Sequence, residues 1–251
     1  MAQYDPLARF YDREYAQKED DLAFYLEIAA PSNCQILEIG VGTGRVALPL
    51  IQAGHSVVGI DSSPSMLQIA HRKLAALPVE EQARLHLICQ QMTELELSKG
   101  FPLCIIPFRT FLHNLNQNDQ LQTLQHINRH LTAEGLLVMD LFVPLYSVVS
   151  QCDWRDEWDQ ADLSPGLRLE TQVQHDPINQ LLYVRNRYFR KRLNRWKISG
   201  EGSYTYRYVF RFEMEALLKI AGFRLLKVFG GFDRCPYDYQ SGTMIFVAQK
   251  S

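Results

Sequence analysis

The chain has 251 residues, of which 47% are apolar and 22% charged, and its formal net charge is −2 at pH 7. This is the composition of a globular protein long enough to bury a core without disulfide or metal staples. The net charge argues against a protein that binds nucleic acid through overall basicity, although it leaves room for a local basic patch.

Cysteine usage and hydropathy predict a soluble cytoplasmic protein without a membrane partner. No two cysteines form a C-x-x-C pair, so the sequence predicts neither a disulfide framework nor a zinc or redox motif. The N-terminal MAQYDPLARF lacks the apolar run of a signal peptide, and no stretch approaches the ~20 apolar residues of a membrane span. The cysteines are Cys34, Cys89, Cys104, Cys152 and Cys235.

Helix and strand patterns alternate up to about residue 144. Near-continuous apolar strands that alternate with helices predict a parallel sheet covered on both faces, a doubly wound α/β fold. Ser63 and Pro64 read as the cap and first residue of a helix, and Gly54 as the residue that closes one. The predicted helices are 4–30 (ending at Pro31), Arg45–Ala53, Ser63–Ala76 and Asp119–Leu131, and the predicted strands are Gln35–Ile39, Ser56–Ile60, Arg84–Cys89, Leu103–Ile106 and Gly135–Phe142.

The rhythm changes after residue 144, where longer strands follow one another with few helical signals. We interpret residues from about 150 to 210 as an antiparallel β insertion within a single domain, 1–251. The α/β pattern then returns to the end of the chain. The predicted strands of the insertion are Arg168–Gln174, Leu181–Arg192 and Ser203–Phe210, followed by a helix over Glu213–Ala221 and strands over Phe223–Phe229 and Met244–Ala248.

A glycine turn follows the first strand. At Gly40, Gly42 and Gly44 the missing Cβ lets a ligand approach the backbone, and ligands of open α/β sheets bind beyond the carboxyl ends of the strands. A dinucleotide pattern, G-x-G-x-x-G, would require glycine where this chain has Arg45. Asp61 ends the second strand, where a carboxylate can accept both hydroxyls of a ribose. The pattern predicts a nucleoside with a small charged arm; a plain structural turn with a capping Asp61 is the alternative.

The run from Glu38 to Gly44, E-x-G-x-G-x-G, together with Asp61 in IDSSPSML resembles the cofactor motifs of class I S-adenosylmethionine (SAM)-dependent methyltransferases. The resemblance covers roughly residues 30–145 and the last thirty. It implies that Glu38, Gly40, Gly42 and Gly44 face the methionine moiety and that Asp61 binds the ribose. It also implies a seven-stranded sheet whose last strand is antiparallel.

Further cofactor contacts are implied by the same resemblance. Met66 falls near the adenine, and Gln91 stands where the family often has an acid that accepts from the adenine amino group. An amide oxygen accepts the same hydrogen bond without the charge. Met92 is placed to pack on the ring, or else is a structural methionine. The N-terminal segment, about 1–30, matches a helical lid in which Tyr11 most resembles the tyrosine that covers SAM.

The loop after the fourth strand, Ile106 to Asn114, borders the methyl group in this family. It lacks the N/D-P-P-Y/F run of DNA amino-methylating enzymes and the Pro-Cys pair of cytosine C5 enzymes. His113 is a candidate base and Arg109 a candidate clamp for a carboxylate or phosphate. The alternatives are a histidine packed at a helix start and an arginine on the surface.

The insertion contains two further patterns. Residues 185–197 hold seven cations with aromatic residues between them, which suits either an RNA-contacting ribbon or a solvated face neutralised by nearby acids. The alternation from Tyr204 to Phe210 predicts one face of a strand, either core or the wall of a substrate pocket. His126 and His130 stand at i and i+4 without a third ligand, so we expect no metal site. The candidate neutralising acids are Asp153, Asp156, Glu157, Asp159 and Asp162.

These patterns together predict a SAM-dependent methyltransferase that transfers a methyl group to nitrogen or oxygen of a small molecule, with the insertion as substrate lid. Three alternatives remain open. They are an RNA-modifying methyltransferase that uses the 185–197 segment, an enzyme such as an aminopropyltransferase that uses SAM without methyl transfer, and a non-catalytic SAM-binding subunit. The oligomeric state is not predicted.

Overall fold

The computed structural model of the chain describes residues 2–30, 35–98, 100–144, 159–238 and 240–251. Its helices are α1 (Ala8–Glu14), α2 (Leu22–Ala29), α3 (Ala47–Gln52), α4 (Pro64–Leu74), α5 (Val79–Gln82), α6 (Gln117–His130) and α7 (Arg211–Ile220). Its strands are β1 (Gln35–Ile39), β2 (Ser56–Asp61), β3 (Leu85–Cys89), β4 (Phe101–Ile106), β5 (Leu131–Phe142), β6 (Asp159–Ser164), β7 (Leu167–Asp176), β8 (Leu181–Arg192), β9 (Arg195–Arg207), β10 (Phe223–Phe229) and β11 (Thr243–Lys250).

The main sheet has seven strands in the order β3-β2-β1-β4-β5-β11-β10. Strands β1 to β5 run parallel, whereas β11 is antiparallel to both β5 and β10. This confirms the predicted doubly wound fold with an antiparallel last strand. The strand order reverses between β1 and β4, so a crevice opens beyond their carboxyl ends.

Two apolar cores cover the two faces of this sheet. Alternate residues of β1 point to opposite faces. Leu37 lies in one core with Leu124 of α6, and Ile36 lies in the other with Leu50 of α3. All four side chains are at most 1% exposed, so the sheet is a rigid base for the loops at its edge.

A second, antiparallel sheet has the order β6-β7-β8-β9 and confirms the predicted insertion of β strands. It packs on α1, where the rings of Phe10 and Tyr188 stack with their centroids 4.0 Å apart. The predicted strand over Ser203–Phe210 is wrong at both ends, because β9 begins at Arg195 and stops at Arg207. Phe210 is the N-cap of α7 and is half exposed, so the chain must leave the sheet before it. Of the predicted stripe, only Tyr204 and Tyr206 lie on β9.

The N-terminal segment contains two short helices instead of one helix over 4–30. Residues 15–21, which lie between the two helices, are mostly polar and lack the apolar repeat with which a continuous helix would pack on the core. Asp21 instead turns its carboxylate onto Arg45. Pro31 and the acids of 153–157 lie outside the described residues.

The predicted caps are confirmed. Ser63 Oγ accepts a hydrogen bond from the Met66 amide at 3.2 Å at the start of α4. Gly54 and Gly222 follow α3 and α7 with φ of 99° and 84°, the left-handed conformation that suits glycine.

In the part of the chain that the structure describes, no helix is both long and apolar enough to cross a membrane. Cys89, Cys104 and Cys235 are free thiols. Cys34 and Cys152 fall outside the described residues.

Candidate functional site

A cavity of about 300 Å³ lies at the carboxyl ends of β1 to β4. Its wall comes from the loops that follow these four strands, from the start of α4 and from the N-terminal segment. It is lined by Ala2, Gln3, Tyr4, Tyr11, Ile39, Gly40, Gly42, Ile60, Asp61, Ser62, Ser63, Met66, Gln90, Gln91, Met92, Thr93, Phe108, Thr110, His113, Asn114 and Asp119. Seven of the predicted cofactor residues are in this wall, together with His113. Glu38, Gly44 and Arg109 are not.

Asp61 presents its carboxylate to the cavity in a fixed orientation. Its Oδ2 accepts from the Gly42 amide at 2.9 Å, and its Oδ1 accepts from the Ser63 amide at 2.8 Å. Each oxygen keeps a second lone pair for a ligand hydroxyl. Burial raises the pKa of Asp61, while the hydrogen bonds from Ser63 and Gly42 oppose the rise.

The glycine turn brings the backbone into the wall. Gly40 and Gly42 have φ of 73° and 56°, and a Cβ on Gly40 would lie 2.2 Å from Thr110 Cγ2. A side chain at Gly40 is therefore excluded by sterics and by conformation. Gly44, with φ of 83°, packs toward Leu48 behind the turn.

Two methionines and a glutamine in the cavity wall suit a flat, uncharged ring. Met66 is buried beside the glycine turn, and Met92 Sδ accepts from Asn114 Nδ2 at 3.2 Å. Gln91 lies at the exposed rim. Two thioethers and a side-chain amide provide polarizable surface and hydrogen-bonding groups without a formal charge.

Glu38 lies behind the glycine turn in a charged, buried cluster. Asp21 is fully buried, and each of its oxygens accepts from Arg45 at 2.7 Å. Among the described residues, Glu38 Oε2 has no hydrogen-bond partner. Burial raises the pKa of Glu38 to about 8; Arg45 opposes the rise, while Asp21 and Asp61 add to it.

Glu38→Gln is expected to remove a pH dependence of stability. The folded state holds a proton on Glu38 that the unfolded chain releases, so this contribution is complete below about pH 4.5 and is lost as the pH rises through about 8. The free energy of unfolding of the wild type minus that of the variant should fall across this window. Urea unfolding at about pH 5 and about pH 8 measures it, and a difference independent of pH would contradict the buried neutral acid.

His113 belongs to an aromatic cluster at the edge of the cavity. Its Nδ1 lies 3.1 Å from the Thr205 carbonyl oxygen and donates to it, which leaves Nε2 as an acceptor. The rings of Tyr4 and Tyr206 lie with centroids 5.3 and 4.6 Å from the imidazole. Desolvation lowers the pKa of His113 to about 4, so the ring is neutral at physiological pH.

Two consecutive left-handed residues follow β4. Phe108 and Arg109 have φ of 56° and 65°, an uncommon conformation for side chains of this size. Buried Asp140 holds the turn, because its Oδ1 accepts from the Phe108 amide at 2.7 Å and from the Tyr25 hydroxyl at 2.6 Å. The turn points the Phe108 ring into the cavity wall, while exposed Arg109 lies over the Phe108 and Phe142 rings.

The N-terminal segment is fastened over the cavity by its acids. Asp5 Oδ1 accepts from Ser63 Oγ at 2.6 Å, and Asp12 Oδ1 accepts from Thr43 Oγ1 at 2.6 Å and from Lys73 Nζ at 2.7 Å. These contacts hold Tyr4 and Tyr11 against the site.

Residues 36–135 match the family model described as a methyltransferase domain, and these residues include β1 to β4 and the glycine turn. This match covers about two fifths of the chain and shows that this part of it is similar to methyltransferase domains. This confirms the resemblance seen in the glycine motif.

Relatives and solved structures agree with the methyltransferase domain. A protein of Geobacillus sp. (strain WCH70), which bears a methyltransferase name, is 35% identical over 107 residues. This match covers 43% of the chain and only 42% of the relative's own length. The CcbJ methyltransferase from Streptomyces caelestis aligns over 100% of this chain and 98% of its own, with a TM-score of 0.87 and 23% identity. CalS10, an amino pentose methyltransferase from Micromonospora echinaspora, aligns over 100% and 98% with a TM-score of 0.69 and 18% identity. Because both sequence identities are low, these two structures establish only that this chain has the same fold.

Among the described residues, Arg187 of the basic segment pairs with Glu201 at 2.8 Å, and Asp162 pairs with Arg168, outside the segment, at 2.9 Å. Both ion pairs lie within the second sheet. Asp153, Asp156 and Glu157 are not among the described residues. The described residues include no group of three His, Cys, Asp or Glu side chains that could hold a metal ion. The imidazoles of His126 and His130 contact backbone groups.

Several residues in the cavity wall, or holding the N-terminal segment over it, were not singled out from the sequence. Phe108 and Thr110 follow the carboxyl end of β4, so strand position alone could have indicated them. Ser63 was predicted only as a cap. Asp5 and Asp12 had no sequence signal, because their partners lie at positions 63, 43 and 73 of the chain.

Proposed function

We propose that the protein is a SAM-dependent methyltransferase that methylates nitrogen or oxygen of a small molecule. The observation on which this rests is Asp61, whose two carboxylate oxygens are oriented by the Gly42 and Ser63 amides and face the cavity. Similarity to methyltransferase domains supports the reaction class. The structural neighbour named as an amino pentose methyltransferase supports a small acceptor.

The residues of the cavity fit SAM. Asp61 would accept from the ribose hydroxyls, and the Gly40 and Gly42 backbone would approach the methionine arm, where a Cβ would block it. Met66 and Met92 would sandwich the adenine, with Gln91 at its rim. Glu38 and Gly44 support the turn from behind. When bound, SAM supplies the electrophilic methyl carbon.

Positioning and desolvation are the contributions that the protein's own groups would make. The acceptor would have to be held in line with the methyl carbon and give up a proton, so the protein's groups would orient the acceptor and take that proton. Tyr11 and Phe108 would border this line from the cofactor side. The rings of Tyr4, Tyr204 and Tyr206 pack beside His113, and the Tyr204 centroid is 5.2 Å from each of the other two. This aromatic cluster would exclude water from the edge of the cavity.

A second, more open cavity of about 280 Å³ shares Tyr11 with the first. Tyr15, Lys18 and Arg45 are in its wall. It would give an acceptor access to the methyl end of the site without displacing the N-terminal segment. Arg109, exposed nearby, stays a candidate clamp for an anionic group of the acceptor.

We keep His113 as the candidate base, acting through Nε2. A base works in its neutral form, so kcat should fall only as the pH drops through about 4, and no limb should appear near 6.5. His113→Gln should lower kcat by about a hundredfold, near the low end for general-base catalysis, because so acidic an imidazole is a weak base. A pH–rate profile of both proteins measures this, and an unchanged kcat in the variant would remove His113 from the chemistry.

The test of the proposed function is calorimetric titration with SAM, S-adenosylhomocysteine and NAD, followed by an acceptor screen with methyl-labelled SAM that begins with small amines. We expect SAM and S-adenosylhomocysteine to bind and NAD not to bind. Binding of NAD alone would refute the cofactor assignment. Tight SAM binding without transfer to any acceptor would instead indicate a non-catalytic subunit, and transfer to RNA alone would refute the small-molecule acceptor.

A further inference from the structure

The hairpin that joins β8 to β9 ends in a group of cations that the proposed site does not use. We call Arg190, Lys191, Arg192, Arg195 and Lys197 the cationic tip. All five are exposed, and in the described part of the chain no carboxylate forms an ion pair with any of them. Like charges at this density repel one another, so the isolated hairpin is destabilised by its own sequence.

The apex of the hairpin is also unfavourable in isolation. Leu193 and Asn194 have φ of 48° and 57°, a turn that favours Asn-Gly, and the Leu193 side chain is 99% exposed. Ile198, just beyond the tip, is 57% exposed. A leucine that is fully exposed in a left-handed turn makes no stabilising apolar contact within its own chain. Its position indicates a partner with both negative charge and an apolar layer.

We propose that the cationic tip docks on an anionic lipid surface, with Leu193 entering the apolar boundary of the bilayer. Lysine and arginine side chains near a membrane are attracted to acidic headgroups, and aliphatic side chains enter the apolar boundary. The proposal concerns peripheral binding, which needs no membrane-spanning segment.

The same observations disfavour a single-stranded nucleic acid as the partner. Bases stack on open aromatic faces. The Trp196 ring is covered by the Arg168 guanidinium at 4.5 Å, and the Lys191 ammonium lies 5.9 Å from its centroid. Leu193 and Ile198 offer no π face for stacking.

Docking at the tip would leave the candidate site free. Tyr204 and Tyr206, which pack against Tyr4 and His113 of the cavity wall, lie at the other end of β9 from Arg195. At ~3.3 Å per residue, the tip is about 30 Å along the strand from Tyr204. The proposal is therefore independent of the methyltransferase activity.

The experiment is sedimentation of the full chain with vesicles of phosphatidylcholine, alone or with about 30% phosphatidylserine. The test variants are Arg192→Ser/Arg195→Ser and Leu193→Ser. The matched control is Arg224→Ser/Lys227→Ser, which removes the same charge from exposed positions of β10. A single-stranded RNA of about 20 nucleotides serves as the alternative ligand.

We expect binding only to the acidic vesicles, weakened by high salt. The tip double variant should bind at least about tenfold more weakly, since two headgroup contacts are lost, and the control double variant should bind nearly as the wild type. Leu193→Ser should also weaken binding about tenfold. Absence of vesicle binding, equal weakening by the two double variants, or unchanged binding of Leu193→Ser would overturn the proposal. RNA binding that depends on the tip, without vesicle binding, would overturn it in favour of a nucleic-acid surface.

Discussion

Asp61→Ala is expected to weaken SAM binding by about 30- to 1000-fold, which corresponds to about 2–4 kcal/mol. Under the proposed role of Asp61, the substitution would remove two charge-assisted hydrogen bonds to the ribose. It also leaves the backbone amides of Gly42 and Ser63 without the Asp61 oxygens to which they donate hydrogen bonds of 2.9 and 2.8 Å. Isothermal titration calorimetry with SAM and with S-adenosylhomocysteine measures the loss.

Two comparisons sharpen this prediction. Asp61→Asn keeps one acceptor oxygen and should lose less affinity than the alanine variant. Asp119→Asn changes another carboxylate of the cavity wall, one that accepts from Asn116 at the start of α6 and is assigned no ribose contact. Its affinity should be close to that of the wild type. Unchanged affinity of Asp61→Ala, in a protein that unfolds like the wild type, would remove Asp61 from the ribose site.

Asp21→Ala is expected to destabilise the fold by about 3–5 kcal/mol, the loss typical of breaking a buried ion pair. Asp21 is fully buried, and the Arg45 side chain that it pairs with is only 15% exposed. Without the carboxylate, the Arg45 guanidinium is left near the glycine turn with only the Lys18 carbonyl, at 3.1 Å, as a hydrogen-bond acceptor. Urea unfolding monitored by circular dichroism gives the difference.

The neighbouring acid is the control. Asp20 is 64% exposed on its side chain and pairs with Lys18, so Asp20→Ala should cost less than about 1 kcal/mol. Asp21→Ala combined with Arg45→Met should recover part of the loss, because no unpaired charge remains. If Asp20→Ala and Asp21→Ala proved equally mild, the ion pair would not be what joins the N-terminal segment to the glycine turn.

Most of the main sheet was predictable because its signals are local. The apolar strands, the Ser63–Pro64 helix start and the glycine helix ends depend on residues adjacent in the chain. The prediction failed where distant partners decide the conformation. The helix over 4–30 is interrupted where Asp21 reaches Arg45, and the strand predicted to end at Phe210 stops at Arg207, whose guanidinium donates to Gln120 of α6.

Local patterns were sufficient to predict the glycine turn, Asp61 and their place at the carboxyl ends of the first two strands, because backbone conformation and strand order follow from short-range signals. The side chains that complete the cavity wall depend instead on packing between distant segments. Phe108 lies in the wall because Asp140, far along the chain, holds the left-handed turn that contains Phe108. Glu38 lies behind the wall, next to the buried Asp21–Arg45 pair. Such contacts depend on packing between distant segments, which no local pattern encodes.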